Sequence, residues 1–183
     1  PAWFWNFDSA LGRAVFHRAT SIYLPEGNCH MMPEALGEGA FSLFEGVARP
    51  ALIVGVHVAT DGTLSEGSFR VSTVKIAKNL NYPDCEAALD GADNPATPFV
   101  ESLRLAADMS AKRLDYRVEH GAVIIERPEI DFTLEGEGAD VTVKLKEVPA
   151  APRAQLLVAE LMVVANAALA DWAVKNDVPL LFR

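Results

Sequence analysis

Apolar residues change period several times along the chain, and each change predicts an element. Asp8-Ser9 ahead of Ala10 offers capping oxygens to a short helix running to about His17. A brief extended piece, Thr20 to Leu24, leads into an irregular Gly- and Pro-rich stretch over 25–41. PALIVGVHVA, Pro50 to Ala59, reads as a buried strand, Thr60-Asp61-Gly62 as a hairpin turn, and Gly67 to Ala77 as the return strand. Asp84 to Leu89 gives one helical turn or two. Thr97-Pro98 then opens a longer helix, with Thr97 at the cap. Its apolar residues Phe99, Val100, Leu103, Ala106, Ala107 and Leu114 share one face, and Gly121 closes it. Two strands follow at Ala122 to Glu126 and Asp131 to Leu134, then a half-exposed strand at Asp140 to Val148. The longest helix runs from about Pro152 to Val174, and PLLFR begins another strand or loop. The order of elements predicts an α+β fold, a mixed or antiparallel sheet flanked by helices, with residues 1–183 in one domain.

Composition narrows the class. Half of the 183 residues are hydrophobic and 22% are charged, the balance of a globular chain rather than a disordered one. The near-apolar run Leu156 to Ala170 carries Glu160 and Asn166 and is too short to span a bilayer. PAWFWNFDSA has no basic segment ahead of an apolar core, so a cytoplasmic location is expected, with Cys29 and Cys85 as two free thiols. The net charge of −9 argues against a polyanion partner unless a local basic groove exists. Candidates for one are Arg70, Lys75 and Lys78, and further on Arg104, Lys112, Arg113 and Arg117; on composition alone these are solvated faces.

Glu160 is the most informative single residue. It lies in LLVAELMVVANAALADWAV, apolar on nearly every face, which predicts a buried helix. A carboxylate there must be paired, hydrogen-bonded, protonated or turned to a wet cavity. An ion pair within the core and a functional role both satisfy that requirement. Asn166 lies six residues on, roughly 240° around the helix, and reads as a core amide. Metal sites find little support. Cys29-His30 has no second pair at ligand spacing, and Asp90 and Asp93 sit in a turn too poor in carboxylates for magnesium. No Walker loop and no G-x-G-x-x-G occurs. His17, His57 and His120 have no nucleophile setting. Tyr23 and Tyr82 flank turn-like segments, where an aromatic ring can either pack or stack on a base.

Read together and in order, the segments resemble a known family. RATSIYLPEG, MMPEAL, FSLFEG and RPALIVGVHVATDGTL resemble the opening motifs of the ribonuclease II-type RNB domain. KNLNYPDCEAAL, GAVIIERPE and LLVAELMVVANAALADWA resemble later ones, so that the likeness covers about Leu11 to Arg183. The resemblance implies magnesium-dependent, processive hydrolysis of single-stranded RNA from its 3′ end to nucleoside 5′-monophosphates. It also implies that the metal-binding aspartates precede Pro1 and that an arginine near the scissile phosphate lies beyond Arg183. The chain is then expected to be the central segment of one catalytic domain, inactive alone, with the remaining segments of that domain as its partners. Tyr23 matches the family tyrosine that packs at the 3′-terminal nucleotide. Tyr82 and Glu160 match residues along the RNA path, where contacts to ribose hydroxyls separate RNA from DNA. Ile124 stands where many members have a stacking Phe, so an aromatic face is lost. The alternative is a non-catalytic RNA- or protein-binding module derived from the same fold.

Overall fold

The computed structural model describes residues 6–25, 27–125, 130–136, 140–147 and 152–182. In chain order the elements are α1 (Ala10–Arg18), β1 (Ile22–Leu24), β2 (Gly27–Cys29), a π-helical turn (Ala35–Ala40), β3 (Ala48–Gly55), β4 (Ser68–Lys75), α2 (Tyr82–Leu89), a 3₁₀ turn (Thr97–Phe99), α3 (Val100–Glu119), β5 (Ile130–Glu135), β6 (Thr142–Glu147) and α4 (Pro152–Lys175). The fold is α+β. Among the described residues the strands form three two-stranded ladders, β1–β2, β3–β4 and β5–β6, rather than one flanked sheet.

The chain divides into two compact units. The first comprises Pro1–Arg49, Lys75–Ala77 and Pro128–Val148; the second comprises Pro50–Val74, Lys78–Arg127 and Pro149–Arg183. In the first, Ser9 caps α1, its hydroxyl accepting the Gly12 amide at 2.9 Å. β1 and β2 are antiparallel, with Tyr23 opposite Asn28. β5 and β6 pair antiparallel with Phe132 opposite Leu145. β2 lies inside the stretch expected to be irregular, because three residues are too few for an alternation to register.

The second unit holds the helices. Its small core comprises Cys85, Ala88, Ala96 and Ala154, with Leu80, Val100 and Leu103 against it. The hairpin turn between β3 and β4 is closed by Asp61, whose Oδ1 accepts the Thr63 amide at 2.9 Å and its hydroxyl at 2.7 Å. These bonds hold the Asp61 carboxyl below its ordinary range. β3 is only half-buried, with Leu52 62% exposed, so Pro50 to Ala59 is not the buried strand its composition predicts. Asn81 caps α2 by accepting the Asp84 amide at 2.8 Å, which starts that helix at Tyr82 rather than Asp84. Thr97 does not cap α3. Its hydroxyl accepts the Asn94 amide at 2.9 Å, in a tight turn that feeds the helix at Val100. The residues α3 buries fully are Ser110 and Arg113, while Leu103, Ala106, Ala107 and Leu114 are only half-buried. Residues 122–125 adopt no strand, contrary to expectation, and Glu126 lies outside the described residues.

At 24 residues the whole of α4, which extends beyond the run Leu156 to Ala170 at both ends, is long and apolar enough by composition to cross a membrane. One face of it packs within the second unit. Glu160, Val164 and Ala168 repeat every fourth residue along the buried face. Ala168 packs so closely on Gly67 that a Cβ at Gly67 would lie 2.7 Å from its own. Phe69 meets Trp172 edge-on with centroids 6.0 Å apart. Glu66 takes Lys175 at 2.9 Å. At the other end Glu86 receives the Arg153 and Ala154 amides at 3.1 and 3.0 Å and the Arg153 Nε at 2.6 Å. The carboxylate thus satisfies two of the free N–H groups that begin any helix. Burial is one-sided all the same. Leu161, Met162 and Val174 on α4 are 45%, 62% and 69% exposed, so the helix is not enclosed as its composition predicts.

Candidate functional site

α3 and α4 pack against each other and place charge between them. Arg113 and Arg117 are one turn apart on α3 and share a face. Arg113 is buried and donates from Nη1 to the Gly62 carbonyl, at the turn before β4; its guanidinium also lies 5.2 Å from the centroid of the Tyr116 ring. His120 stacks on Tyr116 at 4.0 Å. Arg117 donates from Nη1 to Glu160 Oε1. Glu160 is 1% exposed, and its second oxygen, Oε2, is buried without a hydrogen-bond partner.

Glu160 therefore meets a protein cation in this structure. The sequence requirement that an apolar helix give its carboxylate a partner is met 43 residues upstream. Arg117 is the open member of the pair: its side chain is 29% exposed against 2% for Glu160. It borders a cavity of about 640 Å³ whose walls include Val163, Asn166, Ala167, Ala170 and Phe182. Asn166 thus faces that cavity instead of serving as a core amide.

The other candidates are placed as follows. Tyr23, in β1, is 72% exposed and belongs to the first unit. Tyr82 opens α2 at 43% exposed, on a helix that packs against α4. Ile124 is 46% exposed in the irregular segment after α3. Tyr82, Glu160 and Ile124 share the second unit. These residues do not all line one basic groove on α3, since Arg104 pairs with Glu101 at 3.0 Å, Arg113 is buried on the Gly62 carbonyl and Arg117 is paired with Glu160.

Among the described residues no three of His, Cys, Asp and Glu gather as metal ligands. The carboxylates of Glu86 and Asp90 both serve Arg153, and His30 meets Glu38 at 2.8 Å. These residues do not fit a magnesium centre. Cys29 is exposed and Cys85 buried, and both are free thiols; burial pushes the Cys85 thiol up, with Asp84 and Glu86 adding to the effect.

Comparison with known proteins places the whole arrangement. Exoribonuclease 2 of Psychromonas ingrahamii is 31% identical over 168 residues, which are 87% of this chain and 25% of that protein. The chain thus spans about a quarter of the length of such curated relatives. Mycoplasma genitalium RNase R in complex with double-stranded RNA superposes with a TM-score of 0.87 at 22% identity, over 98% of this chain and 32% of that one. The same protein in complex with ribose methylated single-stranded RNA gives 0.81 at 20% identity, over 96% of this chain and 27% of that one. The fold is therefore theirs, and since the RNB domain model matches residues 1–183, the chain belongs to the RNB domain family.

Proposed function

We propose that this chain is the central segment of an RNB catalytic domain in a cytoplasmic exoribonuclease, and that it lines the path of a single RNA strand. The reaction is processive 3′-to-5′ hydrolysis to nucleoside 5′-monophosphates. Family membership over residues 1–183 is the observation that carries this reading. Magnesium, held by residues outside this chain, supplies charge stabilisation and an activated water. In this reading the part of this chain's residues is to bind and orient the strand, and the chain by itself is non-catalytic. The partners it needs are the remaining segments of the same domain. Apolar side chains left open on α3 and α4, such as Leu105, Leu161 and Met162, support that requirement.

Within this reading Tyr23 holds the 3′-terminal nucleotide. Its 72% exposure leaves a ring face free for a base, a contact of about 1–3 kcal/mol in single-strand binders. Tyr82 and Glu160 contact ribose. Ile124 borders the strand without an aromatic face, so less stacking comes from that position. An exoribonuclease assay on the complete protein, with magnesium and with RNA labelled internally in one sample and at its 5′ end in another, tests this. Mononucleotides and a short end product are expected, and Tyr23→Ala is expected to change that product's length. Intact RNA or internal cuts would overturn the activity. Identical end products from both proteins would remove Tyr23 from the site.

A further inference from the structure

We propose that the cavity bounded by Arg117 of α3, the C-terminal half of α4 and the segment after it is a nucleobase subsite. Asn166 hydrogen-bonds the polar edge of the base and Phe182 offers a ring to its face. This deepens, and rests on, the reading of the chain as a contact for RNA.

The walls come first. On α4 Val163, Asn166, Ala167 and Ala170 fall at i, i+3, i+4 and i+7, one stripe of the helix, and the two alanines leave room beside it. Phe182, from the segment after α4, is 61% exposed and lines the same space. A volume of about 640 Å³ with a mostly apolar wall and a few polar groups suits a small planar ligand. The polar groups are two. The Asn166 side chain is exposed and has no hydrogen-bond partner among the described residues, so its amide keeps two donors and an acceptor where a ligand reaches them. Arg117 gives Nη1 to Glu160 and keeps its other N–H groups. Charge then separates a base from a phosphate. Arg117 is the one charged residue among the described walls, and Glu160 already meets it. A phosphate there would set a second anion beside a buried carboxylate, with a single cation to serve both. A neutral ring meets no such repulsion and buries its faces on Val163, the alanines and Phe182. Each nucleobase carries a donor and an acceptor side by side on an edge, the pattern that an amide complements. The fit is therefore to bases as a class.

The test uses the full chain and three probes. A labelled single-stranded RNA is followed by fluorescence anisotropy, and AMP and ribose 5-phosphate are each titrated into ¹⁵N-labelled chain by NMR. AMP is expected to shift the Asn166 side-chain amide signals, and ribose 5-phosphate, which lacks the base, to leave them in place. Asn166→Leu should weaken AMP and RNA binding about tenfold, the worth of one amide–base pair. Ala170→Phe, which fills the cavity and leaves the amide, should do the same; if it does not fold, Asn166→Leu at its exposed position carries the test. Ribose 5-phosphate binding as tightly as AMP would make this a phosphate site and overturn the assignment. Unchanged affinities in the folded variants, with RNA still bound by the unaltered chain, would also overturn it while the RNA reading stands. Asn166-dependent binding of AMP without RNA binding supports the subsite, gives it to a free nucleotide and removes the strand. RNA binding that depends on Asn166, with AMP too weak to detect, supports a base held as part of a strand. Binding of neither overturns both readings.

Discussion

The Arg117–Glu160 pair makes an asymmetric stability prediction. Replacing Arg117 by Met strands a carboxylate that is 1% exposed and already has one unfilled oxygen. Breaking a buried pair in this way costs about 3–5 kcal/mol. For a chain of this size that corresponds to a melting temperature lower by about 6–20 °C, at about 2–4 °C per kcal/mol. Replacing Glu160 by Met leaves a guanidinium whose side chain is 29% exposed and can turn toward water. Its loss is that of a single hydrogen bond to a charged group, about 1.5–3 kcal/mol. The double Met variant removes both charges and should fall near the unaltered chain, because buried pairs often match hydrophobic replacements in stability. Urea denaturation of the three variants, followed by the helical circular-dichroism signal at one pH, gives the comparison. A Glu160→Met cost equal to or larger than that of Arg117→Met would refute the reasoning that burial is concentrated on the carboxylate.

Three further outcomes follow from the packing. Glu86→Ala removes the acceptor for the first two amides of α4 and should lower stability by about 1–2 kcal/mol, with faster hydrogen exchange at Arg153 and Ala154; unchanged exchange there would contradict the cap. Gly62→Ala combines a φ of +85° with a Cβ 2.6 Å from the Lys112 carbonyl oxygen, and should cost about 1–3 kcal/mol by urea midpoint; a neutral outcome would mean that the turn can shift away from α3. Iodoacetamide should modify Cys29 well before Cys85 in the folded chain, because Cys85 is buried and its raised thiol holds less thiolate at neutral pH; mass spectrometry showing equal rates would contradict that core.

Local signals were readable where they are local. Ser9 caps α1 as its type and position predict, and the Thr60-Asp61-Gly62 turn forms between β3 and β4. The limits of α4 follow from Pro152 and its apolar run to within a residue of what sequence predicts. Long-range choices were not readable. That Glu160 needs a partner follows from its neighbours, but that Arg117 supplies it depends on how α3 and α4 cross, which neither helix's periodicity contains. Arg113 on the buried face of α3 is a similar case, since only the distant Gly62 carbonyl explains it. The missing strand at 122–125 shows the converse. A Val-Ile-Ile run has strand propensity, but Val123 is 83% exposed and no neighbouring strand pairs with it among the described residues. Of the candidate site, the ordered motifs carried the family. The exposure of Tyr23 and Tyr82 and the orphaned Oε2 needed coordinates.

Contact between this chain and an RNA strand is the claim on which the rest stands, and photo-crosslinking tests it most directly. A single-stranded RNA carrying 4-thiouridine is irradiated with the full chain, and the modified peptides are mapped by mass spectrometry. Adducts are predicted at Tyr23, at Tyr82 and around Arg117 and Asn166, where tyrosine rings and a cavity-facing arginine are open to a base. Adducts confined to the β5–β6 ladder, or none above the level of a DNA control, would contradict the account.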